Sequence, residues 1–223
     1  MTLVMSVTDY PGPGVHYVSS ITTLDHVTGE QKPILELTEK GSTLHISFVR
    51  STPEYSLQSL LDTAMDFAKT HGLPRLELQD DAQFLTAGAT PCIHRSLFHR
   101  AFEGKKGIYE AKGWIPSADT GPMINTISTF TCAEAQALVP LIQQVRPMPV
   151  DISAGDTPFG LWINAQPCSV LHYFYNTLLV LSTCQWIEKL AAGSPAHLFL
   201  KALHDLRHAN DMLYKETTCD HRV

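Results

Sequence analysis

The first fifty residues consist of four apolar stretches separated by short polar segments. All four stretches are rich in β-branched and aromatic side chains, which favour strands; they read TLVMSV, GVHYVSSITTL, PILELTE and TLHISFV. Between them stand residues that are typical of turns, in PGPG, TGE and EKGS. The pattern predicts four strands, of which the last two form a hairpin.

After residue 50 the apolar positions recur at helical spacing. Thr52 or Ser56 can cap the start of this helix, and Gly72 followed by Pro74 ends it. The alternating segment RLELQ comes next and predicts a strand that runs into two aspartates. The apolar face of the helix is predicted to consist of Leu57, Leu60, Leu61, Ala64, Phe67 and Ala68.

The rest of the chain is predicted to be mainly helical. A second helix begins near His94 or Arg95 and reaches about Lys112, where Gly113 breaks it. A short helix follows in CAEAQALVPLIQQV, and Pro140 either kinks it or ends it.

Two long helices, over 169–191 and 195–215, complete the predicted elements. Strands and helices mix in the first half of the chain, whereas the last third is helical, so the predicted fold class is α/β with a helical addition. We place the domain boundary after residue 116. Residues 1–116 then form an α/β core, and residues 117–223 form a C-terminal helical extension packed on that core.

The charge balance limits the partners of the chain. It has 223 residues, 44% of them apolar, and this length and composition suffice for one large domain with a hydrophobic core. Its formal net charge is −6. A negative balance argues against a broad nucleic-acid-binding surface, so we predict no direct nucleic-acid partner. Lys105, Lys106 and Lys112 still cluster into one local basic patch.

The cysteines and the apolar segments indicate the compartment. The five cysteines are odd in number and none has Cys-x-x-Cys spacing, which argues for a reducing environment without a disulfide framework. The N-terminus lacks the basic region of a secretory signal, and the apolar stretch 169–184 is short and contains polar residues. We predict an intracellular protein of the nucleus or cytoplasm that does not enter a membrane.

Two stretches of the chain carry a family resemblance. Both resemble parts of the GNAT superfamily of acyl-CoA-dependent N-acyltransferases. The family's fourth strand, third helix and fifth strand are similar to FVRSTPEYSLQSLLDTAMDFAKTHGLPRLEL. Its fourth helix and the turn that follows are similar to HRSLFHRAFEGKKGIYEAKGW. The resemblance covers residues 33–116, about half of the chain. Tyr109 and the Gly113-Trp114 pair fall where the family has a tyrosine four residues ahead of Gly-Phe. A GNAT-like mixed, mostly antiparallel sheet with flanking helices is implied.

The resemblance implies transfer of an acetyl group from acetyl-CoA to a primary amine, such as a protein lysine in a histone tail. Amine attack on a thioester needs a stabilised oxyanion and a proton for the leaving thiolate. The phenol of Tyr109 is the implied proton donor, and the backbone amides of residues 47–49 would polarise the thioester. No metal is implied. The implied coenzyme-binding residues are Ile46, Phe48, Val49, Ser51, Ser56, Leu57, Gln58, Ser59 and Tyr109.

The chain departs from the family at the phosphate-binding turn. The family has a glycine-rich turn before its third helix, whereas no glycine occurs here between Gly41 and Gly72. Phosphate binding would rest on the N–H groups and dipole of the helix start, and on the side chains of Ser56, Gln58 and Ser59. Short-loop members with an Asp-rich strand end, here LELQDDA, include a kinetochore-associated acetyltransferase of kinetoplastids. An inactive GNAT-like scaffold in a larger assembly is the alternative hypothesis.

Three further residues are candidates for accepting the proton of the amine. Asp80, followed by Asp81, ends the strand RLELQ beside the implied site; a solvated strand end is the alternative interpretation. Glu77 lies on the same alternating strand. His45 lies on the strand implied to bind the coenzyme, and is either a base or an ordinary outward-facing residue.

The last helix carries a histidine stripe formed by His197, His204 and His208. Two histidines four residues apart can hold a metal ion, but the sequence offers no third ligand, so we predict no metal site. A solvated or partner-facing stripe is the interpretation that we adopt. The C-terminal helices are predicted to pack on the sheet or on each other. Contact with other proteins through these helices is the alternative, and it requires a large exposed apolar patch.

Overall fold

The computed structural model describes the backbone of residues 4–8, 15–24, 31–80, 83–85, 91–209 and 212–217. Side chains are described for residues 33–80, 97–117, 119–209 and 212–217. Asp81, one of the predicted base candidates, lies outside the described residues.

The chain divides into two compact units. The sheet unit takes its described residues from 1–79, 113–115 and 212–223, and the helical unit takes them from 80–112 and 116–211. Both units draw on residues from each side of residue 116, where we predicted the domain boundary.

Nine strands are present in the described part of the chain. Their bounds are β1 (Val4–Thr8), β2 (Val15–Leu24), β3 (Gln31–Lys40), β4 (Thr43–Val49), β5 (Arg75–Gln79), β6 (Gln83–Leu85), β7 (Pro91–His94), β8 (Ile115–Pro116) and β9 (Met212–Glu216). Seven of them form one sheet in the order β1-β2-β3-β4-β5-β9-β8, and β6 pairs with β7. The pairs β1–β2, β2–β3, β3–β4 and β5–β9 are antiparallel, whereas β4 and β5 are parallel. The predicted mixed, mostly antiparallel sheet is therefore confirmed.

The parallel pair in the sheet is joined by the helix α1 (Leu57–Thr70), because parallel neighbours require a crossover. The Ser56 side chain caps its start by accepting the N–H of Ser59. Gly72 follows its end with a φ of 65°, a left-handed conformation that glycine adopts at little cost. The apolar face is buried as predicted at Leu60, Leu61, Ala64 and Ala68, so the predicted helix and its signals are confirmed.

The helical unit contains eight helices within its described residues. They are α2 (Arg95–Glu103), α3 (Gly121–Thr129), α4 (Cys132–Ala135), α5 (Val139–Val145), α6 (Phe159–Asn164), α7 (Cys168–Leu181), α8 (Cys184–Ile187) and α9 (Pro195–His208). Their shared core is aromatic, with Phe159, Phe174 and Phe199 fully buried. At Gly160 an added Cβ would lie 2.7 Å from the carbonyl oxygen of Phe102, so α6 packs against α2 more closely than any side chain allows.

Three helix predictions were wrong in extent. The helix predicted to reach Lys112 ends at Glu103, since Gly104 adopts a φ of 63° and leaves the helical conformation. The stretch 169–191 is divided into α7 and α8, and Ser182 and Thr183 lie between them. The last predicted helix ends at His208, because MLYKE forms strand β9 and joins the sheet beside β5.

Pro140 neither kinks nor ends a helix. It lies in the first turn of α5, where the missing N–H of proline has no helical partner to lose. None of the helices in the described part of the chain is long and apolar enough to cross a membrane.

Candidate functional site

The end of strand β4 differs from the rest of the sheet. Its parallel pairing with β5 runs from Thr43 to Ile46 and stops at the pair Ile46↔Leu78. On the β3 side, Leu37 pairs with Ile46 and Glu36 with Phe48, so Ser47 is an extra residue that forms a β-bulge. Within the described strands, residues 47–49 have no register partner on the side of β4 that faces β5. Among the described residues, the backbone groups on that side of residues 47–49 therefore form an open edge.

The side chains along this edge divide between core and surface. Ile46 is buried in the core of the sheet unit, so its side chain cannot contact a ligand, and only its backbone fits the predicted coenzyme role. Phe48 is 38% exposed, Val49 is half-buried and Ser51 is exposed. The hydroxyl groups of Thr38 and Ser47 are 2.7 Å apart and hold the bulge across the β3–β4 pair.

In the turn that precedes α1, several backbone N–H groups already donate hydrogen bonds to acceptors within the same turn. The N–H of Thr52 donates to the carbonyl of Tyr55, and the N–H of Tyr55 donates to the Thr52 hydroxyl. The Ser56 hydroxyl accepts the N–H of Ser59 at 3.0 Å. A phosphate at this helix start would compete with Ser56 for the Ser59 amide, since both are acceptors for the same donor.

A row of polar side chains crosses three neighbouring strands of the sheet unit. His45 of β4 pairs in register with Glu77 of β5, and Glu77 pairs with Tyr214 of β9. The guanidinium of Arg75 contributes an ion pair, with 3.0 Å between its Nε and Oε1 of Glu77, and lies 4.3 Å from the centre of the Tyr214 ring. The structure thus brings two of the predicted base candidates, His45 and Glu77, side by side, and Arg75 occupies one oxygen of Glu77.

Tyr109 and Asp80 belong to the helical unit. Tyr109 is half-buried, and burial raises the pKa of its phenol to about 12, with the carboxylate of Asp80 adding to the rise. Asp80 itself is 6% exposed. It is therefore not a solvated strand end, and its charge acts on the phenol that the family resemblance singles out.

The segment around Tyr109 is a loop fixed by the carboxylate of Glu110. Oε2 of Glu110 accepts the N–H of Gly107 at 2.8 Å and pairs with Nε of Arg100 at 3.1 Å. Both ionic side chains are nearly buried, at 9% and 11% exposure. Tyr109 is consequently positioned by a turn and by the 3₁₀ segment Glu110–Lys112, rather than by the end of a helix.

The loop is held at its other end by Glu103. Its Oε2 accepts hydrogen bonds from Nδ1 of His99 and Nζ of Lys105, each at 2.9 Å. Burial raises the pKa of Glu103, but the hydrogen bonds and charges of Lys105 and His99 outweigh that effect and lower the pKa below its ordinary value.

The predicted site residues fall into two groups. The sheet unit contains Glu77 together with Ile46, Phe48, Val49, Ser51, Ser56, Leu57, Gln58 and Ser59, and the helical unit contains Asp80 and Tyr109. The histidine stripe is structural in part, since Nδ1 of His204 bonds to the carbonyl of Ser182 at 2.8 Å. Across the residues that the structure describes, no group of three His, Cys, Asp or Glu side chains could hold a metal ion.

The sequence interpretation missed a cavity in the sheet unit. It is lined by one row of α1, by Trp114 and by residues 215–217 at the end of β9. The alternation in MLYKE was the available signal for β9, but it was read as the continuation of a helix. Trp114 was considered only as the aromatic residue after Gly113, although its side chain is 4% exposed and forms part of this wall.

Comparison of the chain with protein-family models, with curated proteins and with solved structures gives no match.

Proposed function

We propose that this chain is an N-acyltransferase of GNAT type, which transfers an acetyl group from acetyl-CoA to a primary amine. The acceptor class that we propose is a protein lysine, such as one in a histone tail. The observation that carries the proposal is the end of the β4–β5 pairing at Ile46↔Leu78, with the bulge at Ser47. An extended ligand arm can add to such an open strand edge through backbone hydrogen bonds.

The chain places the start of α1 a few residues after that open edge. The backbone amides of residues 47–49 would bind the pantetheine arm and polarise the thioester carbonyl. The diphosphate would lie at the helix start, where N–H groups and the helix dipole favour an anion. Ser56, Gln58 and Ser59 would supply polar side chains in place of a glycine-rich turn.

Two groups support proton transfer in the proposed reaction. Glu77, or His45 beside it, would accept the proton of the attacking amine. The family resemblance, rather than a contact between the two units, assigns the donor to the leaving sulfur to Tyr109 of the helical unit. Its raised pKa keeps the phenol protonated at neutral pH, yet full transfer to a thiolate of ordinary pKa would be uphill by roughly three units. The phenol would therefore act mainly as a hydrogen-bond donor to the sulfur.

Calorimetric titration with acetyl-CoA and with desulfo-CoA tests the proposal at the binding step. Both ligands carry the diphosphate and pantetheine, so we expect both to bind and to raise the melting temperature of the chain. Mass spectrometry of a lysine-containing histone-tail peptide incubated with acetyl-CoA and the chain then tests transfer. A chain that binds neither ligand at millimolar concentration is not an acyltransferase of this type.

An inactive scaffold is the second candidate function. The observation that favours it is the capped helix start, where the Ser59 amide already bonds Ser56, in a segment without glycine. The scaffold predicts that neither coenzyme analogue binds, while the fold and its stability are unaffected.

A further inference from the structure

The start of α7 carries a cysteine and a histidine that the proposed reaction does not use. Sγ of Cys168 lies 3.7 Å from Nε2 of His172, which is within hydrogen-bonding distance for sulfur. The two residues are four apart, so they lie one turn from each other on the same face of the helix. Both side chains are exposed, and a reagent in solvent can therefore reach the thiol.

The backbone at the start of α7 favours negative charge on the cysteine sulfur. Cys168 is the first residue of the helix, and Pro167 before it has no side chain that could accept the N–H groups of the first turn. The first hydrogen bonds of the helix run from Val170 and Leu171 to the carbonyl of Pro167, at 2.9 and 3.0 Å. The first turn contains no aspartate or glutamate that would oppose an anion. The positive end of the helix dipole therefore acts on Sγ.

The imidazole and the helix start act on the same sulfur atom. The thiolate, rather than the thiol, is the nucleophile that exchanges with a disulfide. Nε2 of His172 can accept the proton of Sγ, and the helix start stabilises the sulfur anion that remains. A neighbouring histidine and a helix N-terminus are two surroundings that activate cysteine nucleophiles in proteins.

The other cysteines with described side chains lack this arrangement. Cys132 is buried in the core of the helical unit, out of reach of solvent. Cys184 is exposed and is also the first residue of a helix, α8, but that helix has four residues. Among the described residues, no histidine forms a hydrogen bond with its sulfur. Cys184 is therefore a comparison for Cys168 that is equally exposed but has no imidazole partner.

We infer that the Cys168–His172 pair is a site of reversible modification by small disulfides such as glutathione disulfide. Sγ of Cys168 gives its proton to Nε2 of His172 and attacks one sulfur of the disulfide. A new S–S bond forms at Cys168 as the S–S bond of the disulfide breaks, and the departing thiolate takes the proton from His172. Cys168 is oxidised, and one half of the disulfide is reduced to a thiol. This inference goes beyond the acetyltransferase proposal and does not depend on it.

Mass spectrometry of the native chain after a short exposure to glutathione disulfide tests the inference. N-ethylmaleimide blocks the unreacted thiols, and chymotrypsin then separates the two exposed cysteines by cutting between them, for example after Tyr173. We expect Cys168 to form the mixed disulfide about fivefold faster than Cys184. A base that removes the proton raises the thiolate fraction, and weaker intrinsic nucleophilicity offsets part of that gain. Reduced glutathione should then restore the free thiol of Cys168.

The variant His172→Gln separates the effect of the imidazole from that of the helix start. It keeps a polar side chain at an exposed position but removes the base, so Cys168 should react about threefold more slowly while Cys184 keeps its rate. Melting curves check that the variant folds, and the ratio of the two rates in the native chain needs no variant. Equal rates for the two cysteines in the native chain, or an unchanged Cys168 rate in His172→Gln, overturn the inference.

Discussion

The turn before α1 and the loop after α2 are short segments that are fixed by different kinds of contact. In the turn, the bonds join residues three apart, such as Thr52 with Tyr55 and Ser56 with Ser59, and most of the side chains are exposed. In the loop, Glu110 reaches back ten residues to Arg100, and both side chains are nearly buried. Local bonds form wherever the neighbouring residues allow them, whereas a buried ion pair forms only inside a folded unit.

The first prediction removes the charge that fixes the loop. Glu110→Gln keeps a side-chain oxygen for the N–H of Gly107 but leaves the Arg100 guanidinium without its carboxylate. Unpairing a buried charge costs about 3 to 5 kcal/mol, and we expect about 3 kcal/mol because Arg100 has further contacts. Urea denaturation measures the loss in the free energy of unfolding.

A matched exposed pair provides the control for this variant. Lys201 and Asp205 lie four residues apart on α9, with 2.9 Å between Nζ and Oδ2, and both are well exposed. Asp205→Asn should therefore cost less than about 0.5 kcal/mol. Equal losses in the two variants would show that the loop is not held by its buried pair, and the contrast with the turn before α1 would fail.

The second prediction tests whether Tyr109, in the same loop, takes part in catalysis. If the chain is an acetyltransferase, Tyr109→Phe should reduce turnover about 100-fold, which corresponds to about 2.7 kcal/mol, and should change acetyl-CoA affinity little. Tyr173→Phe removes the same atom from a hydroxyl that donates to the carbonyl of Arg146, and it should leave turnover unchanged. An unaltered rate for Tyr109→Phe would remove the tyrosine from the mechanism.

The α1 turn was predictable because its signals are contiguous in the sequence. Ser56 stands three residues before Ser59, the apolar positions of α1 follow at helical spacing, and Gly72 marks the end. The β3–β4 hairpin was predictable for the same reason. The parallel pairing of β5 with β4 was not predicted, although the helix between the two strands allows that pairing.

The loop around Tyr109 and the strand β9 were not predictable in this way. Nothing near Glu110 in the sequence indicates that its partner is Arg100. The spacing of apolar residues over 95–112 fits a continuous helix, and only the structure shows that Gly104 adopts a left-handed conformation and ends it. MLYKE becomes a strand because β5 offers an unpaired edge, a tertiary effect that local propensity does not contain.

The third prediction tests the local character of the α1 start. Ser56→Ala removes the acceptor of the Ser59 N–H and should cost about 1 kcal/mol, the usual value for loss of an N-terminal cap. Ser51→Ala, at an exposed position before the turn, is the control and should be nearly neutral. Denaturation in urea measures both. A loss of several kcal/mol for Ser56→Ala would mean that this segment, too, depends on long-range packing.

The last prediction concerns the pH dependence of the other end of the loop. The pKa of Glu103 is lowered in the folded state below its ordinary value of 4.5, so the unfolded chain binds the proton more readily. The stabilisation from Glu103 is then fully present above that ordinary value and is lost as the pH falls through the lower, folded-state pKa. The native chain should therefore have a higher free energy of unfolding than the Glu103→Gln variant near neutral pH, and this difference should shrink in acid.

The exposed Glu188→Gln variant is the control, and its free energy of unfolding should differ from that of the native chain by close to zero at every pH. A difference between the native chain and Glu103→Gln that is independent of pH would show that the carboxylate charge does not hold the loop.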